Sequence, residues 1–308
     1  MFVNKVFCML MHDTLPQAQV ASFFDADTAT FTHVIWDEDG GHAAVVDPVL
    51  GFDLPTGRTS LAPLAPVLAH LQAHRLTLDW ILETHAHADH LSSAPQLQAR
   101  AGGRIAIGRG IGGVQATFKR LFMLEADLPT DGRPFDQLFD DGDTFAIGRL
   151  QAQAWHVPGH TPADLAYVVG DAVFVGDTLF PPDVGTARCD FPGGDAQALY
   201  RSVRRLMALP PDTRLFMCHD YPAVPRPVQA MATVAAQRAA NVHVHEGVSE
   251  AAFVALRQAR DASLAPPRLM VPSIQVNIRA GHWPAPDTQD PAGRSYLKLP
   301  ILPPVLTH

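Results

Sequence analysis

Apolar residues recur along this chain with two periods, and short runs of each kind alternate. Phe31 to Trp36 and Ala43 to Asp47 are mostly apolar runs, separated by the polar turn Asp37 to Gly41. Such spacing predicts two paired strands around a tight turn. Leu64 to His74 carries Val67, Leu68 and Leu71 at three- and four-residue steps, which predicts an amphipathic helix. Leu78 to Leu82 is apolar apart from Asp79. Helix is predicted over Leu91 to Ala101, and again over Asp195 to Ala208 with Leu199, Val203, Leu206 and Met207 at helical spacing. Val173 to Val175 and Leu215 to Met217 read as short apolar strands. Pro222 to Pro227 reads as a boundary, and Val228 to Ala240 and Ser249 to Ser263 read as helices beyond it. The expected organisation is therefore a domain over 1–227 and a C-terminal helical extension with a tail, 228–308, packing on the same domain.

The ends of these apolar runs carry the chemistry. Residues 84–90 read Thr-His-Ala-His-Ala-Asp-His, so His85, His87, Asp89 and His90 crowd into six positions. In an extended segment the His-x-His alternation puts two imidazoles on one face. Imidazole with carboxylate suits divalent zinc, iron and manganese alike. His160 follows on the Pro/Gly turn Val157 to Pro162, Asp177 ends the strand that closes in Gly176-Asp177, and His219 follows the strand Leu215 to Met217. A single histidine or aspartate after a strand is an ordinary cap or surface group. Four strand ends carrying His-x-His-x-Asp-His, His, Asp and His, in order, point to a metal site.

This pattern resembles the metallo-β-lactamase superfamily over roughly residues 20–225. The resemblance implies an α/β fold, an αβ/βα sandwich of two mixed sheets with flanking helices and the metal at one edge. Within that superfamily, Gly185-Thr186-Ala187-Arg188-Cys189-Asp190-Phe191 and His219-Asp220-Tyr221 are similar to segments of the glutathione persulfide dioxygenases. Phe23-Phe24-Asp25, Thr28 to Thr32, Thr56-Gly57-Arg58-Thr59-Ser60 and Pro272 to Arg279 resemble a bacterial β-lactamase-like hydrolase branch of the same family, related to glyoxalase II. Cys189 departs from the loop's usual small non-thiol residue and reads as packing.

The resemblance implies one Fe(II) per chain held by His85, His160 and Asp177, with His87 also in the metal set. Asp89, His90 and His219 then form a second metal site or orient the ligands, and Asp89 is the expected catalytic carboxylate. Arg188 is expected either to bind an anionic part of the substrate or to pair with Asp190 or Asp183, and Tyr221 either to line the pocket or to pack. The implied partners are a small-molecule thiol persulfide and O₂. The alternative is a dinuclear hydrolase of the glyoxalase II type with two Zn or Mn ions, His85, His87 and His160 on one metal, Asp89, His90 and His219 on the other, and Asp177 between them. A non-catalytic metal-binding or sulfide-sensing protein is a third reading, and the complete ligand set argues against it. His243 and His245 alternate in a polar stretch and read as surface residues.

Composition narrows the partners. The 308 residues are 47% hydrophobic, ample for one large core with an appendage. A net charge of −8 with no basic run disfavours nucleic acid. No apolar run approaches the roughly 20 residues that span a bilayer, and Met1 to Met11 lacks the order of a signal peptide. Cys8, Cys189 and Cys218 are odd in number and far apart, which argues against a disulfide framework and for a reducing cytoplasm. The resemblance and the apolar tail Leu297 to Leu306 suggest a homodimer or a tail that wraps its own domain.

Overall fold

Alternate side chains of neighbouring strands face two different cores in the computed structural model, which describes residues 17–222 and 226–301. Ile35, Ala44 and Val46 point into an interior shared by two sheets, whereas Val34, Trp36, Ala43 and Val45 point outward to helices. This is the two-residue period of a strand buried on both faces.

The first sheet runs β1 (Gln19–Asp25), β2 (Thr30–Trp36), β3 (His42–Val46), β6 (Thr77–Leu82), β8 (Arg104–Gly108) and β9 (Gln137–Phe139). It is antiparallel from β1 to β3 and parallel from β3 to β9. The second runs β10 (Thr144–Ile147), β11 (Leu150–His156), β12 (Leu165–Val169), β13 (Ala172–Phe174), β14 (Arg214–Phe216) and β15 (Met231–Thr233), with only β13 and β14 parallel. A small third sheet orders β5 (Arg58–Ser60), β4 (Val49–Asp53) and β7 (Leu91–Ser92). Helices α1 (Ala65–Ala73), α2 (Ala94–Ala101) and α3 (Ile111–Leu121) cover the first sheet through Val67, Leu97 and Phe118. Helices α4 (Ala196–Met207), α5 (Val234–Ala240) and α6 (Glu250–Asp261) cover the second through Leu199, Val234 and Phe253. The result is the expected helix–sheet–sheet–helix sandwich of two mixed sheets.

Two predicted helices are shorter than the apolar pattern suggested. Leu91 and Ser92 pair with Leu50 and Val49 as strand, and α2 starts only at Ala94 with Pro95 in its first turn. Met231 to Thr233 joins the second sheet beside β14, and α5 begins after Thr233, whose hydroxyl caps the Ala236 N–H. A short apolar run does not by its spacing distinguish strand from helix; the caps and partners decide. Helix α7 (Met270–Asn277) returns to the first sheet and buries Ile274 among its core side chains. Leu297 packs beside Leu50, Leu91 and Val276, and the backbone of Lys298 exchanges hydrogen bonds with the Gln275 amide. That part of the tail wraps its own domain. Residues 223–225 of the boundary region and 302–306 of the apolar tail lie outside the described residues, as does the segment Met1 to Met11. Among the described residues no helix is long and apolar enough to cross a membrane.

One buried histidine ties the two sheets together. His33 on β2 donates from Nε2 to the Met217 carbonyl at 3.0 Å, and Ser22 donates to its Nδ1 at 2.8 Å. Burial, only partly offset by that carbonyl, lowers its pKa to about 4. The folded state therefore holds it neutral while the unfolded chain protonates near 6.5, so this contribution is full above pH 6.5 and falls as pH drops toward 4. At pH 5 the loss amounts to about 2 kcal/mol. Urea unfolding of wild type and His33→Gln at pH 7 and pH 5 checks this: the wild type should lose more stability on acidification, by about that amount.

Candidate metal centre

Four strand ends converge on one edge of the sandwich. The 83–90 loop leaves β6, the 157–162 turn leaves β11, Gly176 and Asp177 follow β13, and Cys218 and His219 follow β14. Two glycines permit the approach. Gly159 has φ +150°, and a Cβ there would lie 2.3 Å from the Leu199 Cα. Gly176 has φ +51°, and a Cβ there would lie 2.7 Å from the Thr84 hydroxyl.

The donors fall into overlapping groups that share Asp177, His87 and His219. Atoms of His85, His160 and Asp177 lie within 4.8 Å of one another, and so do atoms of His87, Asp89, His90 and His219. Asp177 Oδ2 is 3.5 Å from His160 Nε2 and 3.9 Å from His85 Nε2. Asp177 Oδ1 is 3.4 Å from His219 Nε2, which sits 3.0 Å from Asp89 Oδ2. The set assumed for a dinuclear site joined His87 to His85 and His160; here His87 Nε2 turns instead toward Asp47 Oδ1 at 3.0 Å. Its other close donors are those of Asp89, His90 and His219, and Asp177 and Cys218 also lie within reach.

The surroundings fix which nitrogens face the centre. Thr84 donates its backbone N–H and its hydroxyl to Asp47, at 2.8 and 2.9 Å. With that proton committed, the Thr84 oxygen accepts from His85 Nδ1–H at 3.0 Å, leaving the His85 Nε2 lone pair free. His160 Nδ1–H donates to the Arg188 carbonyl at 2.8 Å and likewise presents Nε2. Such outer partners set tautomer and ring orientation in metal sites. His85 Nε2, both ring nitrogens of His87, His90 Nε2, His219 Nε2 and Asp177 Oδ1 are buried without hydrogen-bond partners among the described residues. Buried polar atoms left unpaired are costly, and here they are the donors a divalent cation needs. The residues present fit a metal.

Charges in the site agree. Burial, reinforced by His87 and His160, pushes His85 well below its usual range, and burial with His90 does the same to His87, so both stand deprotonated and ready to ligate. Burial opposes a charge on Asp89, yet His219 and His90 hold its carboxyl well below the ordinary range. Burial also opposes a charge on His219, but Asp89 and Asp177 raise its pKa. Burial raises Asp177, although His219 and His160 counter it.

A cleft of about 410 Å³ opens over Asp89, His160 and Asp177, with Phe180, Phe191 and Tyr221 in its walls. Tyr221 is half-exposed and stacks on His219 at 5.7 Å. Arg188 lines the cleft and forms the expected ion pair there: it grips both carboxylate oxygens of Asp190, at 2.5 and 2.7 Å, and the carbonyls of Leu264 and Ala265. Asp183 pairs with Arg226 instead. Asp220 is wholly buried and accepts from Arg226 and from the Gln229 N–H, so it braces the loop and stands outside the cleft. Cys189 and Cys218 are free and buried, and burial pushes the Cys189 thiol up to about 12, as fits packing.

Three supporting residues were not singled out from the sequence. Asp47 ends β3 just as Asp177 ends β13, so the same strand-then-acid signal was available. Glu83, buried against Ser92, is driven well above the carboxylate range by burial and Asp47. Asn277, on α7, donates to the carbonyls of both His87 and His90 at 2.8 Å and accepts from the Ser92 N–H at 2.9 Å. No local signal marks Asn277, because its partners are about 190 residues away. His243, read as a surface residue, is buried and accepts from the Thr186 N–H at 3.0 Å, and burial lowers its pKa to about 4. His245 is exposed.

Residues 26–219 match the metallo-beta-lactamase superfamily, and the chain belongs to it. It is 50% identical to a probable metallo-hydrolase of Burkholderia pseudomallei over 92% of this chain and 98% of that one. It is 30% identical to the mitochondrial persulfide dioxygenase ETHE1 of Homo sapiens over 64% of this chain and 66% of that one. Among solved structures, that of ETHE1 from Myxococcus xanthus superposes with a TM-score of 0.67 at 27% identity, covering 86% of this chain and all of the other.

Proposed function

We propose that this superfamily enzyme is an Fe(II)-dependent dioxygenase that oxidises the outer sulfur of a thiol persulfide, with glutathione as the first carrier to test. The observation that carries the reading is the division of the donors. His85, His160 and Asp177 form a two-histidine, one-carboxylate group that reaches the cleft through His160 and Asp177, while His219 Nε2 sits 3.0 Å from Asp89. Such a group with open positions suits non-haem iron and oxygen chemistry. The persulfide dioxygenase relative and the ETHE1 structure support the same reading.

The net reaction is RSSH + O₂ + H₂O → RSH + SO₃²⁻ + 2 H⁺. His85, His160 and Asp177 would hold the ferrous iron, which would supply binding of the terminal sulfur and of oxygen. The chain does the rest. Thr84 and the Arg188 carbonyl hold the two imidazoles with Nε2 forward. Asp177 supplies the negative charge that a dication requires. His219, its pKa raised by Asp89 and Asp177, holds a proton at Nε2 beside the Asp177 carboxylate. Asp89 keeps that imidazolium in place, and Phe180, Phe191 and Tyr221 wall the cleft against water. Arg188 acts by fixing the loop that carries the His160 acceptor, with its guanidinium spent on Asp190. The free thiols of Cys189 and Cys218 fit a cytoplasmic location.

Oxygen uptake by anaerobically Fe(II)-loaded protein on adding glutathione persulfide, with sulfite measured in the same vial, tests the proposal. One sulfite per O₂ consumed is expected. No uptake by protein shown to hold iron would move the assignment to the second reading, a dinuclear hydrolase with two Zn or Mn ions. That reading is favoured by the compact His87, Asp89, His90 and His219 group and by the metallo-hydrolase relative.

A further inference from the structure

Two segments set apart in the sequence take no part in the metal chemistry: Phe23-Phe24-Asp25 and the stretch ending in Arg58-Thr59-Ser60. They meet. β1 brings Phe23 and Phe24, and the β4–β5 hairpin brings Phe52 and Arg58, to a second cavity of about 710 Å³. This cavity adjoins the metal cleft, because Asp27 and Arg268 line both. The cleft above Asp177 therefore continues past Arg268 into a larger chamber built by the small third sheet.

The chamber's chemistry selects an occupant. Three phenylalanine side chains give it apolar and aromatic walls, and two guanidinium groups stand at its borders. Three carboxylates share the lining: Asp25 accepts from the Thr28 N–H and hydroxyl, Asp53 accepts from the Thr56 hydroxyl and stands opposite Arg58 across the hairpin, and Asp27 lies at the border with the metal cleft. Ion pairs near the cleft join Arg188 with Asp190, Arg257 with Asp261 and Arg226 with Asp183 and Asp220. Arg58 and Arg268 appear in none of the ion pairs among the described residues. Guanidinium beside aromatic faces is the pairing that takes up phosphate next to a flat ring, and the cavity falls in the size range of small-molecule sites.

We infer that this chamber is a distal subsite for the far end of the thiol carrier: a phosphorylated tail with a planar ring, held by Arg58 and Arg268 against Phe23, Phe24 and Phe52. The inference rests on the proposal that a thiol carrier enters the metal cleft. It adds that the site accepts carriers longer than a tripeptide and distinguishes them at Arg58.

Equilibrium binding of reduced coenzyme A and of reduced glutathione to Fe(II)-loaded protein, held free of oxygen, tests this without any turnover. Coenzyme A should bind more tightly than glutathione. Arg58→Ala should weaken coenzyme A by about tenfold, the loss of one charge-assisted contact, and leave glutathione unchanged. Arg58→Lys should restore part of the loss. Arg268→Ala should weaken both probes, since Arg268 borders both cavities. Arg58 is exposed, so its replacement spares the fold, and circular dichroism verifies that. Equal effects of Arg58→Ala on the two thiols, or none on either, would overturn the subsite. So would a change in solution mass with no change in binding, which would make the chamber a contact between two copies of the chain. Because binding is read without oxygen, the subsite can stand where oxygen uptake fails, and the reverse.

Discussion

Asp177→Ala should remove bound iron and lower persulfide-dependent oxygen uptake by about a thousandfold or more, because it deletes the only carboxylate of a three-residue ligand group. The two imidazoles left behind, His85 and His160, carry no charge to balance a dication in a buried site. Asp177→Asn separates charge from shape: it keeps the side chain's size and its neighbours but not its anion, and should fall nearly as far. The check is iron per chain by metal analysis beside the oxygen electrode, with circular dichroism to confirm the fold. Full iron retention with unchanged uptake would remove Asp177 from the centre.

His219→Ala should behave differently, and the difference separates the two readings of the site. His219 touches Asp89 and Asp177 but stands outside the three-residue group. Its loss should leave one iron per chain and reduce uptake by about ten- to a hundredfold, the usual cost of removing an outer partner. It should also shift the alkaline limb of the pH–rate profile, since the group whose deprotonation sets that limb is gone. In a dinuclear enzyme the same variant would lose one of two metals and nearly all hydrolysis. Metal stoichiometry before and after the substitution therefore decides between them.

Most of the candidate centre was legible because its residues are local. Each stands within a few positions of an apolar strand end, and strand ends at one edge of a sandwich necessarily face one another. The sandwich itself followed from the same residues through a family resemblance. The pairing of donors was less legible: both His-x-His histidines were assigned to one metal, whereas His87 Nε2 lies 3.0 Å from Asp47. What supports the loop was legible only at Asp47, which follows a strand as Asp177 does. Asn277 acts across nearly the whole chain, and a lone asparagine on a short helix carries no pattern. Arg188 shows the limit of motif reading from the other side, since the motif placed it at the cleft but its guanidinium is tied to Asp190 and two carbonyls.

Asn277 also carries a consequence for how the protein matures. Its amide closes onto the His87 and His90 carbonyls from a helix translated well after both histidines. A nascent chain therefore displays all seven candidate ligands before the clamp that shapes their loop exists. Ion capture and docking of the last helix are thereby linked equilibria, each favouring the other by the same free energy. Metal-free protein should therefore release its C-terminal helix more readily than metal-loaded protein, which hydrogen exchange over residues 270–277 in the two states checks.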